Sequence, residues 1–305
     1  MHGNSYQQRM ESRLLCRLFC TIISSGMSAI LIADSGATKC EWCLLSNGKK
    51  KKIVTHGVNP YYIPAEAITA LFEKELLPKL KQVKIEAIYF YGAGLSATAN
   101  VKMLTRVLRS LFPSAAIEVN HDLLAAARAL CGKEKGISCI LGTGSNSGFY
   151  NGKKIVKNNP GLGFILGDEG SGAYLGKKVV QYFMYNTFDE ELMGRFRETF
   201  QTSESEILHQ VYRGSFPSRY LASFALFLGN NRGHYMIENI IEDGLNDFIV
   251  NHIYKYRESW THPIHFTGSI AFAFKDVLKE LLGSYELEMG QVLKEPMSGL
   301  IRFHS

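Results

Sequence analysis

The residues best equipped for chemistry fall in three short glycine-rich turns. Asp34-Ser35-Gly36-Ala37-Thr38-Lys39 sets a carboxylate, a glycine, a hydroxyl and an ammonium within one loop. Gly142-Thr143-Gly144-Ser145 alternates glycines with hydroxyls, and Gly268-Ser269 adds a third tight turn. Backbone N–H groups in such turns, and at helix N-termini behind them, attract anions, and glycine lets the backbone approach closely. A carboxylate beside them suits a hydrated Mg²⁺. Each turn alone is a weak signal, more often only a tight turn; three together point to a nucleotide phosphate site. No GxxxxGK[ST] string is present, so a P-loop is unsupported.

A competing motif is Gly92-Ala93-Gly94-Leu95-Ser96-Ala97, which fits GxGxx[G/A]. A dinucleotide site needs an acidic residue at the end of the next strand. Glu118 lies inside that strand and Asp122 just past it. That reading makes Asp122 a ribose ligand and leaves Asp34–Lys39 and Gly142–Ser145 without a task, so it is the weaker one. By position alone Asp122 is a helix cap, and Asn59, before Pro60, is a turn residue. Cys40 and Cys43 have the spacing of half a zinc site, but no second CxxC follows. On a strand their odd offset points them to opposite faces, so free thiols in a reducing compartment are the simpler account.

An α/β chain must position these turns. Ala29–Ala33 is a buried-strand pattern ending in Asp34, and Glu41–Leu45 and Lys51–Thr55 form strands around Asn47-Gly48. A helix is expected over 65–77, ended by Pro78. A strand at 85–91, a helix at 100–111, a strand at 116–120, an Ala-rich helix at 122–130 and a strand at 137–141 follow. A second hairpin surrounds Asn151-Gly152. Helices dominate from Ser171 to Trp260, and a strand at 264–267 leads into a helix at 271–282. Hairpin-then-βαβ order occurs twice, which implies two related α/β halves.

The 305 residues, 46% apolar and 20% charged, exclude a disordered or low-complexity protein and support a core without disulfide staples. Net charge is +6 and diffuse; Lys49–Lys52 follows a hairpin dipeptide and reads as a solvated turn, so no nucleic-acid partner is expected. The longest uncharged stretch, Leu18–Ala33, is shorter than the ~20 residues of a membrane span. Residues 1–26 carry Arg9, Arg13 and Arg17, but their apolar core is too short for a signal peptide. They read as an N-terminal extension, with Met27 as an alternative start.

The ordered set Asp34–Lys39, the Asp122 segment, Leu141-Gly-Thr-Gly-Ser-Asn146 and Phe266-Thr-Gly-Ser269 resembles the sugar kinase/Hsp70/actin ATPase superfamily. Gly161-Leu-Gly-Phe-Ile-Leu-Gly-Asp-Glu-Gly-Ser171 is similar to the GxGxxxGDEGS string of N-acetylglucosamine kinases and the BadF/BadG-type ATPases grouped with them. The resemblance covers Ala29 to about His304. One departure is the first loop, where Ser35 and Ala37 replace glycines of DGGGTK; both are tolerable where φ stays negative.

The resemblance implies two ribonuclease H-like, actin-like ATPase lobes with a nucleotide cleft between them. Their spans would be 27–120 and 121–291, with 292–305 returning to the first lobe. It implies an ATP-dependent kinase acting on an N-acetylated amino sugar at its 6-hydroxyl. Asp34 would hold Mg²⁺ through water, with Gly36, Thr38 and Lys39 in the first phosphate loop. Gly142, Thr143, Gly144 and Ser145 would form the second, and Gly268 and Ser269 would flank adenosine. Asp122 would be the general base, and Asn59, Asn146 and Asp168 would bind the sugar. Glu169 could bind sugar or cap the following helix. A cytoplasmic homodimer is expected. Two alternatives are a radical-enzyme activator sharing an iron–sulfur cluster through Cys131 and Cys139, and a non-catalytic actin-like scaffold.

Overall fold

The computed structural model describes residues 28–36, 39–80, 83–159 and 161–305, and they divide into two compact units, one ending at Asp122 and one beginning at Leu123. The N-terminal extension, Cys16, Cys20, Ala37 and Thr38 lie outside the described residues.

The first unit is built on strands β1 (Ser28–Ser35), β2 (Lys39–Ser46), β3 (Lys49–His56), β4 (Lys84–Gly92) and β5 (Ala116–His121), in the order β3-β2-β1-β4-β5. The β2–β3 hairpin turns on Asn47 and Gly48, both at positive φ (49° and 71°), as a two-residue turn of matching twist demands. β1 is central, and Leu31, Ile32 and Ala33 are all buried, because both faces of an inner strand are covered. Trp42 anchors the core, edge-on to Phe72 and Phe90 at 5.2 and 5.4 Å, with its indole N–H donating to Thr55 Oγ1. The lysine run forms the outer edge, where Lys52 meets Glu41 at 2.5 Å and Lys51 donates to the Lys79 carbonyl. Charged lysines on an edge strand discourage pairing with another chain.

Helix α1 (Ala65–Glu75) stops earlier than expected. A second short helix, α2 (Leu77–Leu80), holds Pro78 in its first turn, where the missing N–H costs nothing. α3 (Thr98–Leu111) covers the sheet through Leu104, Val107 and Leu108.

The second unit repeats the plan. α4 (Asp122–Cys131) leads into β6 (Lys135–Leu141), β7 (Ser145–Asn151) and β8 (Ile155–Asn159); β9 (Ile264–Thr267) and β10 (Met289–Leu293) complete the order β10-β9-β6-β7-β8. An antiparallel hairpin flanks three parallel strands in both sheets. Between β8 and β9 lie α5 (Gly163–Leu166), α6 (Gly172–Met184), α7 (Glu190–Phe200), α8 (Glu204–Arg213), α9 (Pro217–Asn230), α10 (Tyr235–Phe248) and a π-turn (Ile249–Ile253). Phe183, Phe196, Phe224 and Phe227 form their common core.

The helix expected over 271–282 is two, α11 (Ser269–Ala273) and α12 (Lys275–Ser284), broken at Phe274 where ψ is 32°. β10 was not anticipated. Its Gly290 carries no side chain because the His265 ring fills that space. Segment 292–305, expected above to return to the first lobe, supplies the end of β10 and helix α13 (Met297–His304) within the second unit. There Gly299 lies against the Ala129 backbone of α4.

Cys40, Cys43, Cys131 and Cys139 are buried free thiols. Burial raises all four, Cys131 to about 12 and Cys139 well above the ordinary range. Cys131 and Cys139 thus belong to the interior of the second unit. Among the described residues no helix is long and apolar enough to cross a membrane.

Candidate functional site

In the first unit the candidate residues gather at the carboxyl ends of the parallel strands, where open α/β sheets bind ligands. The register sets Ser35, Gly92 and His121 in one row across β1, β4 and β5. Asp34 stands one residue before that row, half-buried, and Asp122 one residue after it, in the first turn of α4. Ser35 substitutes for the expected glycine because its φ is not positive and its hydroxyl has work to do. Ser35 Oγ accepts the Val58 N–H at 2.9 Å, and the Ser35 carbonyl accepts the Ala93 N–H at 3.2 Å. The first loop, the segment around Asn59 and the Gly92–Ala97 loop are therefore tied together. Lys39 lies on β2, 3.3 Å from Glu41 Oε2.

Asn59 makes its own turn: its Oδ1 accepts the Tyr61 N–H at 3.1 Å and its carbonyl accepts from Tyr62 and Ile63. The amide stands over Gly94, whose φ of +79° and crowded position both exclude a side chain. A Cβ at Gly94 would also meet the Tyr61 ring at 3.0 Å. That crowding weighs against the dinucleotide reading, because the Asn59 and Tyr61 side chains already stand over the backbone a pyrophosphate would approach.

In the second unit, Gly142–Ser145 links β6 to β7. Its carbonyls accept the first N–H groups of α6, Gly172 to Gly142 at 2.8 Å and Ala173 to Thr143 at 3.0 Å. The donors at that helix start are thus satisfied by the loop, and Ser171 caps the helix by accepting from Tyr174. Gly268 lies against Leu141 and Gly142, so the third turn adjoins the second. Ser145 Oγ and Thr267 Oγ1 are buried and have no hydrogen-bond partner among the described residues. Orphaned buried hydroxyls are costly unless a ligand meets them. No atom lies within 4 Å of where a Cβ on Gly142 would stand. The Gly142 N–H itself donates to the Gly144 carbonyl at 3.0 Å, so the unpartnered Ser145 and Thr267 hydroxyls, with open space beside Gly142, are what suits a phosphate group here.

Asp168 closes this cluster. A Cβ on Gly144 would come within 2.8 Å of its Oδ2, and one on Gly161 within 2.7 Å of its Oδ1. Gly163 donates to Oδ1 at 3.1 Å. Burial raises the Asp168 carboxyl above its ordinary 3.8, against the pull of the Gly163 and Ser145 N–H groups. A raised native value means the folded state holds its proton longer. Stability from this group is therefore greatest below pH 3.8 and declines as pH rises through the native value. Urea midpoints taken from pH 3 upward should fall for wild type relative to Asp168→Asn across that window; parallel curves would contradict the shift.

Asn146 Oδ1 accepts from the Ser147 N–H and from Asn158 Nδ2, each at 2.9 Å. Glu169, left between two roles by sequence, does not cap the helix, which Ser171 does; its Oε2 lies 3.0 Å from His252 Nε2. His252, Asn158, Asn159 and Tyr256 were missed. Only the Asn158-Asn159 pair ahead of the Gly161–Ser171 string offered a signal; His252 stands in a helical stretch with none.

No protein-family model matches the chain. The chain is similar to a crystal structure from Porphyromonas gingivalis described as a "putative N-acetylglucosamine kinase". That protein is 40% identical with a TM-score of 0.86, over 90% of this chain and 98% of the other. An N-acetylmuramic acid/N-acetylglucosamine kinase of Clostridium acetobutylicum is 25% identical over 173 residues, 54% of this chain. The match spans only about half of that relative's length, 56%. An MreB of Spiroplasma citri bound to AMPPNP shares the fold alone, at 10% identity over 91% of this chain and 95% of the other, with a TM-score of 0.56. With glycine-rich turns at the strand ends of two equivalent sheets, and these likenesses, the chain belongs to the N-acetylglucosamine kinase-like family of sugar kinases with the two-lobed actin-like ATPase fold.

Proposed function

We propose that this protein transfers the γ-phosphoryl group of ATP to the 6-hydroxyl of an N-acetylated amino sugar, N-acetylglucosamine or N-acetylmuramic acid. The observation that carries the reading is the cluster of Gly142–Ser145, Asp168 and Gly161. There the buried, unpartnered Ser145 hydroxyl and the open space beside Gly142 stand in the loop whose Gly144 lies against the Asp168 carboxylate. ATP, when bound, supplies the electrophilic phosphorus. Gly144 and Ser145 would hold the transferring group, Gly268 and Ser269 would flank the adenosine, and Asp34 would orient a hydrated Mg²⁺. Thr38, outside the described residues, and Lys39 would complete the first loop.

The sugar residues have matching polarity. Asn59 and Asn146 both have their amide oxygens engaged within the chain, which leaves their NH₂ groups to act as donors. Donors suit a hydroxyl oxygen or an acetamido carbonyl. Asp168 supplies the complementary acceptor, and Asp122 takes the hydroxyl proton. Catalysis would come chiefly from positioning and charge neutralisation. A cytoplasmic homodimer belongs to the same reading, supported for the compartment by the buried free thiols.

The deciding experiment is a panel of sugars with ATP, followed by ADP release and by the mass of the sugar phosphate. Formation of an N-acetylhexosamine 6-phosphate is expected; ADP release without any phosphorylated sugar would overturn the reading. Mg·ATP should also raise the melting temperature far more than NADH does, and Asp34→Ala should abolish that Mg-dependent rise. Stabilisation by NADH alone would reverse the assignment.

A further inference from the structure

The Gly167–Ser171 turn is gripped by one segment of the second unit at two consecutive residues. Gly170, at φ +68°, lies so close to Phe248 that a Cβ would reach the Phe248 Cβ at 2.8 Å. Glu169 is paired with His252 at 3.0 Å. Phe248 ends α10, His252 lies on the π-turn, and their rings stack at 4.8 Å with an interplanar angle of 21°. A π-turn is a rare widening of the helix, often found at functional sites. Here it carries a histidine that is only 5% exposed.

The imidazole is fixed from its other side as well. His252 Nδ1 lies 3.3 Å from the Asn159 carbonyl, and Asn159 Nδ2 donates back to the His252 carbonyl at 2.8 Å. Tyr256 accepts the Asn159 N–H at 2.6 Å, and its hydroxyl meets Ser147 Oγ at 3.0 Å. The network runs from Glu169 to the strand that carries Asn146. Between the gripped residues and Gly167 stands Asp168, at φ +55°. A non-glycine residue persists in that left-handed conformation only where its surroundings hold it there.

We propose that Glu169 is a positioning residue of the acceptor site: held by His252, it keeps Asp168 in its left-handed conformation and its carboxylate against Gly144 and Gly161. The substrate affected rests on the sugar-kinase reading; the geometry does not. Glu169 therefore acts through its neighbour instead of touching sugar.

A double-mutant cycle on the full-length protein separates these roles. His252→Ala and Glu169→Ala should each raise the sugar KM by about tenfold, as expected for coupled neighbours, with the ATP KM nearly unchanged. The double variant should be no worse than the poorer single, and Glu169→Gln, which can still bond His252, should recover most of the loss. The Gly163 amide, bonded to Asp168 Oδ1, should exchange its hydrogen faster in both single alanine variants. Multiplying losses in the double variant would make Glu169 a direct sugar ligand and overturn the proposal. So would a lowered melting temperature with unchanged KM and unchanged Gly163 exchange. If wild type phosphorylates no amino sugar, the kinase reading fails by itself. Gly163 exchange then decides the positioning role, supported by non-additive acceleration and overturned by none.

Discussion

Asp122→Asn is expected to lower kcat for sugar phosphorylation by roughly 10²–10⁴-fold, the range for a lost general base, with both substrates' KM near wild type. β5 ends at His121 and α4 begins at Asp122, so no loop blurs the position of this carboxylate. The strand row Ser35–Gly92–His121 holds it level with the first glycine-rich loop. Burial pushes neighbouring His121 toward its neutral form. A sugar hydroxyl has a pKa far above 7 and attacks poorly until its proton is accepted. Asparagine keeps the shape and the helix-start preference, so stability should move by only a few tenths of a kcal/mol, roughly the scatter among good caps. A purely structural aspartate makes the same stability forecast but leaves kinetics normal. Retention of more than about a tenth of wild-type kcat, well outside the general-base range, would move the base elsewhere, with Asp168 the next candidate.

The two sheets were legible because their signals are local. Asn47-Gly48 announces a hairpin by its dihedral needs, and the short apolar run before Asp34 reads as a buried strand. The duplication was legible from element order, and the same strand order in the two sheets agrees with it. The misses have one physical origin. Gly290 and the short β10 make sense only with the His265 ring in place, and Phe274 breaks a helix for tertiary reasons that helical periodicity does not carry. Pro78 was recognised as a breaker, yet a proline also suits a first turn, and a new helix starts around it.

The candidate site divides the same way. Glycines, Asp34, Asp122 and Asp168 stand in strings whose spacing has meaning along the chain. The Glu169–His252 pair spans 83 positions, and nothing in either local sequence names the other. The Rossmann-like Gly92–Ala97 string shows the converse. Its spacing is acceptable, but Asn59 and Tyr61 fill the space that a pyrophosphate would need.

Gly268→Ala should cost about 2–4 kcal/mol of stability, combining a disallowed backbone with an overpacked contact, and should abolish stabilisation by Mg·ATP. Gly268 has φ 123° and ψ 161°, a region that residues with a Cβ avoid. The added carbon would also stand 2.5 Å from the Leu141 carbonyl carbon and 3.0 Å from the Gly142 nitrogen. Neither neighbour can give way cheaply. Leu141 closes β6, and Gly268 itself donates to the Leu293 carbonyl at 3.0 Å, so the strand ends are pinned from both sides. Any relief must displace Gly142, the first residue of the second glycine-rich loop, so on the proposed phosphate role the stability loss and the binding loss are coupled. At roughly 2–4 °C per kcal/mol for units of this size, the melting temperature should drop by about 4–16 °C. Gly283→Ala is the control. Gly283 lies in α12, with no atom within 4 Å of the added carbon and no positive φ, so helix propensity alone predicts a gain of up to about 1 kcal/mol. A Gly268→Ala protein that melts with wild type and still responds to Mg·ATP would show that this turn does not set the loop beside it.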